Sequence, residues 1–311
     1  MDAPMHNHTY DKTRVAIGDV KTDSLNSVRH ILRDIGFREI EVRRDAGSLQ
    51  EFLHAADVDL LVSEVDLEGG DAFEMINTLR HGGLGRDPFM PVLGFTWKAT
   101  PDKVHRAANS GADGLLAQPA WEQRFRSAIE TLVEKRKPFV VTTDYVGPDR
   151  RSEDDNRGGQ KIPLIPVPNA LRRTVTGLPD AVPFAAAMVM IQEQKVERHA
   201  YQIGYLTKHI TDTYREIDQS SNVAAQIAKL QSVAMDLMLR ITDTKYAHQS
   251  ELCRTLLGVS KELAKQPANP RLRDISLLAQ LSLALQRAIH ADDKATIAAA
   301  HDIAQAVKEN L

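Results

Sequence analysis

Cysteine is nearly absent from this chain, with Cys253 alone among 311 residues. That excludes an intramolecular disulfide and a cysteine-built structural zinc site, and it fits a reducing cytoplasm. Long hydrophobic runs are missing too, since none approaches the roughly 20 residues that span a bilayer. The opening residues, MDAPMHNHTYDKTR, are polar rather than a positively flanked apolar signal segment. No membrane association is expected. Charge of one sign is also lacking: the net charge is −3 and the pI about 6.4. There is no overall basic field to draw the protein to nucleic acid or acidic lipid, so neither is an expected partner.

What is present is a chain long enough for about two domains, with two textures. The first dozen residues read as a loose tail. From residue 13 to 136, short apolar runs alternate with amphipathic stretches. Strands are expected at RVAIG (14–18), EIEVR (39–43), DLLVSE (59–64), PVLGFT (91–96) and GLLA (114–117), each followed by a helical pattern. Five strands alternating with helices predict an α/β fold, a doubly wound parallel sheet. Ligands of such a sheet gather beyond the carboxyl ends of the strands, where Asp19, Glu64, Thr96 and Gln118 should converge.

After residue 180 every long segment reads as helix. Val196, Ile203, Leu206, Ile210 and Ile217 form one stripe, and Val223, Ile227, Leu230, Ala234, Leu237 and Ile241 another. Steps of three and four residues mark helix-on-helix seams, so residues 180–311 are expected to be a helical bundle, or a homodimer that completes one. The phase slips across TDTKYAHQ (242–249), and Pro267 and Pro270 punctuate the next join. His199, His209, His248 and His301 lack the surrounding sequence of a phosphotransfer histidine and are expected to be solvated or interfacial. No compact helix-turn-helix with a basic recognition helix is present.

The order of elements, the strand-end Asp19, the loop VSEVDLEGGDAFE, the strand-end Thr96 and GADGLLAQP from Gly111 to Pro119 together resemble the receiver domain of two-component response regulators. The resemblance covers residues 13–136 and implies a flavodoxin-like strand order. Receivers hold Mg²⁺ between two adjacent acidic residues after the first strand and a phosphoacceptor aspartate after the third. Here the matching positions are Asp19, Val20 and Glu64. An isopropyl group cannot coordinate a hard cation, and the Glu64 carboxylate stands one methylene farther from the backbone than an aspartate. Gln118 matches the family's lysine and carries no charge to offset a phosphoryl group. Thr96 matches the switch hydroxyl, but Leu115 stands in place of the switch aromatic. Trp97 replaces a small residue, placed either across the crevice or against the fourth helix. A cis bond is expected at Gln118-Pro119 by the same resemblance.

Residues 137–179 mix proline, glycine and charge without sustained period and are expected to be a linker. Within it, Tyr145, Gly147, Pro148, Arg150 and Arg151 form a tract suited to docking on a protein face or clamping an anion. The leading expectation is a cytoplasmic, non-enzymatic signalling protein without a cofactor. In that reading a degenerate receiver-like domain is joined to a helical output that binds a partner, such as a histidine kinase or another regulator. A competing expectation is a phosphorylatable response regulator in which Asp19, Glu64, Asp66 and Thr96 still support Mg²⁺ binding and phosphoryl transfer, with Asp19 and Glu64 as candidate ligands. A third is a nucleotide- or nucleic-acid-binding regulator using Arg150, Arg151, Arg172 and Arg173.

Overall fold

The computed structural model describes residues 8–19, 21–117, 121–151, 162–215, 222–242, 244–290 and 294–308. Its contacts divide the chain into two compact units, Met1–Ala187 and Met188–Leu311.

In the first unit the elements alternate as the hydrophobic pattern requires. They run β1 (Arg14–Gly18), α1 (Thr22–Ile35), β2 (Glu39–Arg43), α2 (Ala46–Ala55), β3 (Leu60–Glu64), α3 (Ala72–Arg80), β4 (Val92–Thr96), α4 (Pro101–Ser110), β5 (Gly114–Ala117) and α5 (Trp121–Glu134). The five strands are parallel in the order β2-β1-β3-β4-β5. The central strands β3 and β4 are buried along their whole length, which is why LLVSE and VLGFT are apolar almost throughout. On one face Val15, Ile17, Val62 and Phe95 pack against Val28 and Leu32 of α1 and Phe125 and Ile129 of α5. On the other, Ala16, Leu61 and Val92 pack against Leu49 and Leu53 of α2 and Met75, Ile76 and Leu79 of α3. Side chains fix the helix starts: Asp45 accepts from Ser48 N at 2.8 Å, Asp71 from Phe73 N at 2.9 Å, and Thr100 from Lys103 N at 3.3 Å.

Two expectations are corrected here. The loose tail to residue 12 is partly ordered, because the Tyr10 ring lies 4.8 Å from that of Phe37 and Thr9 N donates to Val175 O at 3.2 Å. The linker reading of 137–179 also fails over its described part. Strands β6 (Phe139–Val141) and β7 (Val146–Pro148) form an antiparallel hairpin, and α6 (Ala170–Thr176) packs beside α5. The reason is burial: Phe139, Val141 and Leu171 are fully excluded from solvent. Each such side chain contributes about 1.5–3 kcal/mol that an exposed spacer would forgo.

The second unit is helical. Its elements are α7 (Phe184–Arg215, which begins in the first unit), α8 (Val223–Ile241), a short 3₁₀ turn (Ala247–Gln249), α9 (Ser250–Lys265), α10 (Leu272–His290) and α11 (Lys294–Lys308). The phase slip read at 242–249 is the break between α8 and α9, and the two prolines lie between α9 and α10. Ala200, Ile203, Leu230, Leu237, Leu256, Leu281 and Leu285 are among the residues that fill one core.

Candidate functional site

The parallel sheet brings Asp19, Glu64 and Thr96 to one crevice at the carboxyl ends of β1, β3 and β4, each with its side chain in the interior. Asp19 Oδ1 accepts from Lys21 N at 2.9 Å, while its Oδ2 and both oxygens of Glu64 have no hydrogen-bond partner among the described residues. Lys21 Nζ stands 3.6 Å from Glu64 Oε1, long for a hydrogen bond but close enough for ionic attraction. Burial pushes the Glu64 pKa from 4.5 up to about 7; Lys21 opposes the shift, and the nearby Asp19 and Asp66 carboxylates add to it.

A second cation enters from α4. Lys103 Nζ donates to Asp66 Oδ2 at 2.5 Å and to Thr96 Oγ1 at 3.2 Å, and Thr96 Oγ1 donates onward to Lys98 O at 3.3 Å. One turn later Arg106 pairs with Asp71, the cap of α3, and its guanidinium lies 5.0 Å from the Phe73 ring centroid. Helix α4 is thereby tied to the loop after β3 at two points. Leu115 packs against Val65, Phe73 and Ala107. Trp97 is about one-third exposed, at 36%. Val20, Gln118 and Pro119, including the expected cis bond, lie outside the described residues.

Sequence reasoning missed Lys21, Lys103 and Arg106. The signal was available for Lys103, because a helix that follows a parallel strand begins near the crevice and its first turn can reach inside. The donor set does not fit a magnesium ion as these side chains stand. No group of three His, Cys, Asp or Glu among the described residues is arranged to hold a metal, and Asp66 is turned to Lys103.

The tract read as an anion clamp lies at the opposite end of the sheet, against its own domain. Arg150 donates to Ala112 O, Tyr145 OH to Pro148 O at 2.8 Å, and Arg151 to Asp149 at 2.8 Å. Gly147 sits so close to Gly111 that a Cβ on it would come within 2.7 Å of the Gly111 Cα. Arg172 donates to Pro179 O at 3.0 Å and Arg173 to Asp180 at 2.5 Å. The four arginines of the nucleic-acid reading are each engaged within the chain rather than gathered on one open face.

In the second unit His199 differs from the solvated or interfacial residue expected. It is buried, with Nδ1 2.7 Å from Lys195 O and Nε2 2.6 Å from Asp236 Oδ2. Both ring nitrogens face acceptors, which leaves neither to receive a phosphoryl group. His209 and His248 are exposed, and the His301 side chain lies outside the described residues.

Residues 15–130 match the family model of the response regulator receiver domain. This segment is a receiver domain. It is 27% identical over 108 residues to the chemotaxis protein CheY of Pseudomonas aeruginosa, spanning 35% of this chain and 86% of that protein. Against CheY-3 of Vibrio cholerae the identity is 22% over 108 residues, covering 82% of the relative. Among solved structures, CheY4 of Vibrio cholerae aligns at 24% identity with a TM-score of 0.34, covering 38% of this chain and 96% of that one. A CheY-like receiver domain from Methanospirillum hungatei aligns at 22% identity with a TM-score of 0.34, covering 38% and 90%. No family model matches the helical region after the receiver domain. Among the described residues no helix is long and apolar enough to cross a membrane.

Proposed function

We propose that the protein is a cytoplasmic, non-catalytic signalling module in which a degenerate receiver domain holds one conformation and the helical region binds a protein partner. The observation that carries this reading is Lys103. Its ammonium bridges Thr96 and Asp66 from within α4, so the hydroxyl that would follow a phosphoryl group is already engaged by the chain's own cation. The burial of Glu64, which raises its pKa to about 7, supports the same reading, because the fraction of that carboxyl still protonated at neutral pH is not nucleophilic. Partner binding, by a histidine kinase or another regulator, or self-association of the helical region, would then depend on surfaces rather than turnover.

The phosphorylatable alternative has one observation in its favour: Asp19, Glu64 and Thr96 do line the same crevice. Incubation with acetyl phosphate and Mg²⁺, followed by intact mass and a phosphate-affinity gel, separates the two readings. The expected result is no modification at any Mg²⁺ concentration. A stoichiometric adduct that disappears in Glu64→Gln would overturn the degenerate reading.

A further inference from the structure

Helix α7 carries one buried lysine. Lys195 is 2% exposed, between buried Gln194 and Val196 and one turn before buried His199. Among the described residues its ammonium has neither a hydrogen bond nor an ion pair. The carboxylate of this cluster is engaged elsewhere: Asp236 Oδ2 stands 2.6 Å from His199 Nε2 and accepts from Arg240 Nε at 2.9 Å. An ammonium shut away from water with its donors unmet is unfavourable, and the neutral amine is the form such a place prefers. Burial pushes the Lys195 pKa from 10.5 down to about 8; Arg240 adds to the shift and Asp236 opposes it. Of the two neighbouring charges the cation acts more strongly on Lys195, so the surroundings that discharge the amine also favour a negative charge in its place.

We propose that Lys195 is a carbon dioxide site, at which the amine is reversibly converted to a carbamate. The neutral nitrogen attacks the carbon of CO₂, a C–N bond forms, one C=O electron pair moves onto oxygen, and one N–H proton is released to water. The product is an N-carboxylated lysine bearing one negative charge, and nothing is oxidised or reduced. Two features select this electrophile. A desolvated amine close to a second cation is an activated nucleophile. Carbon dioxide is small and uncharged, so it reaches an amine that packed side chains close to bulky or phosphorylated acyl donors. The carbamate then takes the Arg240 guanidinium as its counter-charge, in the place where the ammonium was repelled by it. A sign change of this kind beside the His199–Asp236 contact between α7 and α8 is an input to the helical region. It goes beyond the proposed function and is independent of the state of the crevice.

The test uses the full-length chain, equilibrated with carbon-13-labelled CO₂ and bicarbonate at a pH of about 8, where the Lys195 amine is half neutral. A carbamate carbon resonance should appear, and trapping with triethyloxonium followed by peptide mass mapping should place the ethyl carbamate on Lys195. Lys195→Met and Lys195→Arg should each remove that resonance while leaving the far-ultraviolet circular dichroism unchanged. Arg240→Gln leaves the amine in place and should lower Lys195 occupancy about fivefold or more at the same CO₂ concentration, which keeps the inference testable should the Lys195 variants unfold. Carbamate at the chain's amino terminus serves as the internal standard, since an α-amino group also titrates near pH 8. Label confined to the amino terminus and exposed lysines, a resonance that survives in Lys195→Arg, or occupancy indifferent to Arg240→Gln would each overturn the inference. The acetyl phosphate result bears on Glu64 and this one on Lys195, so failure here and failure of the degenerate-receiver reading are separable.

Discussion

The two ends of the receiver sheet each bury titratable side chains, and they treat them in opposite ways. At the amino end Asp113 accepts from Arg136 Nε at 2.7 Å, from Arg80 Nη2 at 2.9 Å and from Val92 N at 2.8 Å. Arg80 spends its remaining donors on the carbonyls of Gly111, Pro88 and Met90, and the Phe139 ring lies 5.1 Å from its guanidinium. At the carboxyl end, Glu64 and Asp19 are equally buried but keep three oxygens without a hydrogen bond among the described residues. A buried charge with every partner in place serves structure. A buried carboxyl left under-satisfied lowers stability instead.

The sharpest way to break this comparison is at the satisfied end. Asp113→Ala leaves Arg80 and Arg136 facing one another without their common anion and should destabilise the receiver by about 3–5 kcal/mol in urea denaturation. A loss below about 1 kcal/mol would mean that the backbone carbonyls alone hold the arginines.

At the other end the sign reverses. Folding raises the Glu64 pKa from 4.5 to about 7, so the folded state binds the proton more tightly than the unfolded chain. Its stability contribution is whole below pH 4.5 and is lost as the pH rises through about 7. Glu64→Gln should therefore stabilise the protein at pH 8, by up to about 3 kcal/mol, and should flatten the stability profile between pH 5 and 8. Equal pH profiles for variant and parent would show that Glu64 ionises as an ordinary exposed carboxylate.

A smaller effect is expected at Gly111, which takes a left-handed φ of 86° and whose absent Cβ would lie 2.5 Å from Val146 O. Gly111→Ala should cost about 1–3 kcal/mol and lift the β6–β7 hairpin, read as faster amide exchange at Val140 and Gly147. The smallest change in stability is predicted for Lys103→Met, below about 1 kcal/mol, because the ion pair it removes is half in water on the Asp66 side. Its readout is local: the first turn of α4 should exchange faster once Thr96 and Asp66 are released. Unchanged exchange there would remove Lys103 as a tether.

How much of this was legible beforehand depended on range. Strands β1, β3 and β4 were readable because burial on both faces forces nearly continuous apolar runs, and the breaks at 242–249 and at Pro267 because they interrupt a period. Asp19, Glu64 and Thr96 were placed together by topology alone. Lys103 and Arg106 were not, since a long cation on an amphipathic helix has the same pattern whether it points to water or into a crevice. The order in 139–148 and 170–176 was missed for a related reason: Phe139–Val141 is only three apolar residues long and Leu171 stands in polar surroundings, so their burial depends on elements brought near by the fold.

The sequence by itself determined the alternation of strand and helix and which residue types stand at the strand ends, Val20 beside Asp19 and a glutamate at position 64, because these are properties of residue type and local spacing. Only the tertiary structure decided that the YVGPDRR tract closes on its own domain, that His199 is locked between a carbonyl and Asp236, and that Lys103 reaches Thr96. Each of those outcomes is a contact between distant positions, set by where the packed core carries a side chain and which acceptor it meets there.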